Sequence, residues 1–102
     1  MGGYIVSVNT LRDWIADYNE EALLADGFEQ AVIGMCERFG QSPVVAYDRE
    51  KCIEILMANF VQTINEDEDE DLYTMAVEYF DFNVSGSYVG ENTPVFLTLY
   101  KP

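Results

Sequence analysis

Six consecutive carboxylates, Glu66, Asp67, Glu68, Asp69, Glu70 and Asp71, stand between two amphipathic patterns and limit how the chain can fold. Adjacent like charges repel and offer no apolar surface to bury, so this run belongs at the surface and not across a core. Upstream of it, Ile53, Leu56, Met57, Phe60, Val61 and Ile64 share one helical face, and Asp48 is placed to cap the first turn. Downstream, Leu72, Met75, Ala76, Tyr79 and Phe80 repeat with the same period and predict a last helix to about Phe82, broken by Asn83, Gly86 and Gly90. The simplest reading of the run is a solvated connection between two helices.

The remaining segments mix periods. Residues 4–8 are apolar and β-branched and read as a short strand or an ordered arm. Thr10 opens a helix in which Leu11, Trp14, Ile15 and Tyr18 recur at helical spacing, with Thr10 and Asp13 in the form of a capping box. Residues 19–24 either extend it or form a second turn. Residues 28–39 fit a helix through Phe28, Val32, Met35, Cys36 and Phe39, or a buried strand through residues 31–35. Gly34 favours the strand, because glycine weakens a helix interior, and residues 40–43 then turn the chain into the β-rich run Val44-Val45-Ala46-Tyr47 as a hairpin. Residues 95–100 read as a closing strand with Pro94 at its start. The expected fold is α+β: a small antiparallel sheet covered by three to four helices, in one domain spanning 1–102, with an amino-terminal arm and helix over 1–26 and a core over 27–102. Trp14, Ile53, Leu56, Phe60, Met75 and Phe80 are the expected core contributors.

A chain of 102 residues, 49% hydrophobic, can bury a core without metal or disulfide support. Cys36 and Cys52 lack the spacing of a redox pair or a zinc knuckle and read as buried free thiols, which suits a reducing compartment. Apolar runs are far shorter than a membrane span and no secretory leader is recognisable, so a soluble, cytoplasmic protein is expected. Five basic residues against 19 acidic ones give a net charge of −14, a field that repels nucleic acid and anionic membrane and attracts basic surfaces. An acidic surface also serves solubility alone.

Catalysis finds little support. The chain has no histidine, which removes the commonest general base near neutral pH and any Ser-His or Cys-His pair. Residues 86–90 lack the ending of a phosphate loop, and Ser85 and Ser87 do not form a nucleophile elbow. Glu78 and Asp81, one helical turn apart among aromatics, are the available paired carboxylates, and the wet face of an amphipathic helix is their simpler reading. Asp67, Asp69, Asp71 and Glu78 imitate part of a calcium loop, but Leu72 occupies the position that needs glycine. The expectation is a non-enzyme without metal or cofactor.

The acidic run keeps a functional reading beside the structural one. Extended, it places about one charge per 3.4 Å, the axial spacing of one DNA strand; as a helix, about one per 1.5 Å, near the duplex value of roughly 1.7 Å. Asp13, Asp17, Glu20 and Glu21 on the first helix could lengthen such a track, with Tyr73 and Tyr88 as aromatic anchors.

Two stretches, PVVAYDREKCIEILM over 43–57 and AVEYFDFNVSGSYVGENTPVF over 76–96, resemble a family of small proteins encoded mainly by bacteriophages and their bacterial hosts. That family has no assigned activity, so no catalytic residue is implied. Here an acidic run stands where a short glycine-type turn is expected, and the amino-terminal extension is individual. Phage origin implies, by analogy, an inhibitor of a host nucleic-acid-binding protein or complex, such as an anti-CRISPR or other anti-defence protein that acts as a nucleic-acid mimic. The partner is then a host protein, with no direct nucleic-acid or membrane contact. The alternative is a non-catalytic structural or self-associating module, a homodimer.

Overall fold

The computed structural model describes residues 8–61, 71–87 and 89–102. The chain forms helix α1 (Val8–Tyr18), a 3-10 turn (Glu29–Ala31), strands β1 (Val32–Arg38) and β2 (Gln41–Asp48), helix α2 (Arg49–Val61), helix α3 (Leu72–Tyr79), a π-helical segment (Phe80–Ser85) and strand β3 (Val95–Leu97). The fold is α+β. Two details of the expected architecture are corrected: the α-helices number three among the described residues, and the sheet is mixed. Strand β1 pairs antiparallel with β2, whereas β3 runs parallel to β2. Parallel neighbours need a long crossover, and the two helices and the π-helical segment between β2 and β3 provide it. No helix of the described residues is long and apolar enough to cross a membrane.

The buried strand expected through residues 31–35 is found as Val32–Arg38, after the 3-10 turn, and none of its residues is fully buried. The hairpin turn is tighter than expected, because Arg38 already pairs with Gln41 and Gly40 takes a φ of 75° between them. Pro43 therefore lies inside β2 and not in the turn. It is tolerated because the ladder with β1 shifts register between Cys36 and Arg38, and β3 reaches only Ala46, Tyr47 and Asp48. A second shift leaves Ile33 as the extra residue between Val32 and Gly34. The closing strand is shorter than the apolar pattern over 95–100 suggests, since only Val95, Phe96 and Leu97 find partners on β2.

Strand β2 buries four consecutive residues, Val44, Val45, Ala46 and Tyr47, as a strand covered on both faces does. Val45 and Tyr47 belong to one cluster with Ile15, Phe28, Ala31, Cys52, Ile53, Leu56, Ala76 and Phe80. Burying each of the larger side chains removes it from water with a gain of about 1.5–3 kcal/mol. Tyr47 stacks on Phe96 at 5.4 Å, Phe96 meets Phe80 edge-on at 4.9 Å, and Phe80 meets Phe28 edge-on at 6.4 Å. Of the expected core, Ile53, Leu56 and Phe80 are buried and Phe60 packs against the cluster, while Met75 is half-buried outside it.

Trp14 is the exception, 41% exposed. The inward stripe of α1 is Leu11 and Ile15, continued by Asn19 just past the helix end, not the Leu11, Trp14, Ile15 and Tyr18 set. At about 100° per residue, the two stripes differ by a rotation of about 50°. Asn19 sets that rotation: its Nδ2 donates to the Pro43 carbonyl at 2.8 Å and to Asn92 Oδ1 at 3.0 Å, and its Oδ1 accepts from the Glu21 N–H at 3.0 Å. The helix itself begins at Val8, two residues before Thr10, so the capping-box reading of Thr10 and Asp13 does not describe its start. The arm expected over residues 4–8 lies outside the described residues but for Val8, and so does Ile64 of the expected second helix.

Helix α2 starts as expected. Asp48 Oδ1 accepts from the N–H groups of Glu50 at 3.1 Å and Lys51 at 3.4 Å. The last helix passes the expected end at Phe82, because α3 continues into the wider π-helical turn up to Ser85. It stops at Gly86, where a Cβ would lie 2.9 Å from the Asp81 carbonyl oxygen and 3.0 Å from that of Phe82. Both obstacles are backbone and cannot swing aside. Gly86→Ala should therefore destabilise the fold by about 1–3 kcal/mol in chemical denaturation, whereas alanine at an open helical position would be neutral or stabilising.

Candidate functional site

The rotation of α1 places acids and aromatics side by side. Asp13 and Asp17 occupy one exposed stripe of the helix, and Trp14 and Tyr18 the next, their rings meeting edge-on at 5.2 Å. Glu20 and Glu21 follow in the exposed turn after the helix. None of these four carboxylates is in an ion pair among the described residues. Four of the chain's five cations are engaged elsewhere: Arg12 with Asp26 at 3.8 Å, Arg49 with Asp81 at 2.7 Å, Lys51 with Glu54 at 3.7 Å, and Arg38 with the Glu91 carbonyl at 3.2 Å. The α1 surface thus offers uncompensated negative charge beside two large amphipathic rings. Sequence reasoning found the acids but placed Trp14 inside; the missed signal was Asn19, a polar residue completing the stripe from Leu11 and Ile15.

Of the rest of the expected acidic track, one carboxylate is described. Glu66, Asp67, Glu68, Asp69 and Glu70 lie outside the described residues, as does Tyr88. Asp71 is a structural cap: its Oδ1 accepts from the Tyr73 N–H at 3.0 Å and its Oδ2 from the Thr74 hydroxyl at 2.9 Å. Tyr73 is exposed, and its hydroxyl donates to Glu50 Oε1 at 3.3 Å, tying α3 to the first turn of α2. Asn19 bonds near the start of β2, while Tyr73 reaches Glu50 just past its end.

A cleft of about 400 Å³ opens between the 23–28 segment, the π-helical wall and the chain leading into β3. Leu23, Phe28, Val84, Val89, Pro94 and Phe96 give it an apolar lining, with Asp26, Asn83, Ser87 and Thr93 as polar members. No sequence motif announces it, because its walls come from three separated segments. Next to it lies the buried Tyr47, whose hydroxyl accepts from the Ala25 N–H at 2.8 Å. Burial pushes its pKa up to about 12, so it is a neutral phenol at physiological pH.

No family model, curated protein or solved structure matches the chain at a significant level. Chemistry has to be judged on the side chains alone. The hydrogen bond from Arg49 holds the Asp81 carboxyl below its ordinary range, the reverse of what a general acid needs, and Glu78 is exposed. Helix α3 occupies the second half of the calcium-loop pattern counted from Asp67, so those positions cannot wrap an ion in that way. Both cysteines are free; Cys36 is half-buried, and burial raises the Cys52 thiol to about 12, far from a reactive thiolate.

Two outcomes follow for the engaged carboxylates. Asp71→Ala should cost about 1 kcal/mol through loss of the cap, while Asp71→Asn keeps most of it, in denaturation at neutral pH. The Asp81 pKa is lower folded than unfolded, so its contribution is present above the unfolded value of about 3.9 and is lost as pH falls through the folded value. The stability gap between the wild type and Asp81→Asn should hold constant above about pH 5 and shrink below it.

Proposed function

We propose that this chain is a non-catalytic binding protein that occupies a basic, phosphate-binding surface of a host nucleic-acid-handling protein, in the manner of a nucleic-acid mimic. The observation that carries this reading is the exposed Trp14–Tyr18 pair bordered by Asp13 and Asp17, with Glu20 and Glu21 following, on a molecule of net charge −14. Tryptophan and tyrosine supply much of the energy of protein interfaces, and guanidinium groups both stack on such rings and pair with carboxylates. Asp13 and Asp17 stand about 6 Å apart along the helix axis, sparser than the roughly 3.4 Å per charge of a DNA strand. Charge alone therefore makes a weak imitation of a phosphate track, and the aromatic pair has to supply the rest. The phage-like resemblance of 43–57 and 76–96 supports a host protein as the partner, including the anti-CRISPR class of inhibitor.

The rival reading, a self-associating structural module, is opposed by fourteen net charges on every copy. The test is capture from a bacterial lysate on immobilised protein, elution by salt, and displacement by competing DNA or RNA. A basic nucleic-acid-binding protein should be recovered with an affinity that falls steeply with ionic strength. Trp14→Ala should cost about 2 kcal/mol of binding, and joint neutralisation of Asp13, Asp17, Glu20 and Glu21 at least roughly tenfold in affinity. An affinity flat in salt and indifferent to these substitutions would sink the mimic, and a mass that grows with concentration in light scattering would favour the module.

A further inference from the structure

We infer that the apolar cleft is a docking site for one large apolar side chain flanked by Lys or Arg in an exposed segment of a basic protein. At about 400 Å³ it lies at the small end of ligand sites and has room for one large apolar side chain. Its lip is open: Leu23, Asp26 and Val89 are exposed, so a guest is enclosed by Phe28, Val84 and Phe96 while its backbone stays outside.

The polar members of the lining select the guest's charge. The Ser87 hydroxyl donates to the Asn83 carbonyl at 3.0 Å, and the Asn83 Nδ2 donates to the Tyr79 carbonyl at 3.2 Å. The Thr93 hydroxyl donates to the Gly90 carbonyl at 2.6 Å and accepts from the Val89 N–H at 3.0 Å. These donors are engaged, and among the described residues the lining holds no cation to receive an anionic guest. Asp26 differs: its side chain is 89% exposed, and its partner Arg12, itself half exposed, stands 3.8 Å away. A cationic neighbour of the apolar anchor can take the place of Arg12 there, and the net charge of −14 draws it in.

This site shares no residue with the Trp14–Tyr18 surface and is tested without any partner protein. The isolated chain, labelled with nitrogen-15, is titrated with capped Gly-Arg-Phe-Arg-Gly, Gly-Arg-Gly-Arg-Gly and Gly-Glu-Phe-Glu-Gly peptides and with phenethylamine, following amide shifts by NMR. The Arg-Phe-Arg peptide should move the amides of Ala25, Phe28, Val84 and Phe96 saturably, and at least fivefold more tightly than either other peptide. Asp26→Asn, an exposed change that leaves the core intact, should weaken it about threefold and narrow its advantage over the acidic peptide by at least that factor. Val84→Trp should obstruct the cleft and abolish the shifts while leaving the fold's other amide resonances in place. Should Val84→Trp unfold the chain, the Asp26→Asn comparison decides. Equal binding of the glycine-centred peptide, shifts confined to α1, or phenethylamine binding as tightly as the peptide would each overturn the inference.

Discussion

Four rings hold this fold together. Tyr47 on β2, Phe96 on β3, Phe80 at the start of the π-helical segment and Phe28 before the 3-10 turn form one continuous series of stacked and edge-on contacts. Each ring comes from a different element, so the series ties both ends of the crossover to the hairpin in a way the three-residue β3 could not achieve by hydrogen bonds alone. Aromatic pairs of this kind add about 0.5–1.5 kcal/mol each beyond their buried area. The Arg49 guanidinium, 5.0 Å above the Phe80 ring and bonded to Asp81, closes the outer side of the series.

The same rings explain where function can sit. Phe28 and Phe96 are structural on their inner faces and line the cleft on the outer ones, so the cleft is the place where the core meets solvent. The α1 surface has a different origin. It depends on one amide, Asn19, which joins the helix to Pro43 and Asn92 and turns Trp14 and Tyr18 outward. The two surfaces share an acidic molecule but no residue, and they present different shapes: a ring pair standing on a helix and a recess between loops.

Helical period and turn chemistry carried much of the architecture into the sequence. The Asp48 cap, the Ile53, Leu56 and Phe60 part of the α2 face and the strand pattern around Gly34 are local properties, and local physics reads them well; Val61, expected on the same face, is exposed, and the last helix runs past its expected end to Ser85. What escaped was long-range. Nothing near residue 95 says that β3 will run parallel to β2, because that follows from where the crossover delivers the chain. Trp14 was misplaced for a related reason: apolar spacing defines a helical stripe, but a hydrogen bond to a residue more than seventy positions away selects which stripe faces inward. The cleft was invisible because no single segment contains it. The acidic run was visible at once, yet Asp71, its one described member, proved to be a helix cap.

The parallel pairing of β3 also bears on how the chain reaches its native state. Ala46 and Val95, partners in the ladder, are about fifty residues apart, and a loop of that length must close before their contact can form. The β1–β2 hairpin and the helices rest on local contacts and can assemble first, with β3 arriving last, as topology-limited folding generally requires. Until then Tyr47 lacks its stacking partner and the recess lacks one wall. The apolar site is therefore complete only when the segment carrying Pro94 and Phe96 has docked on β2.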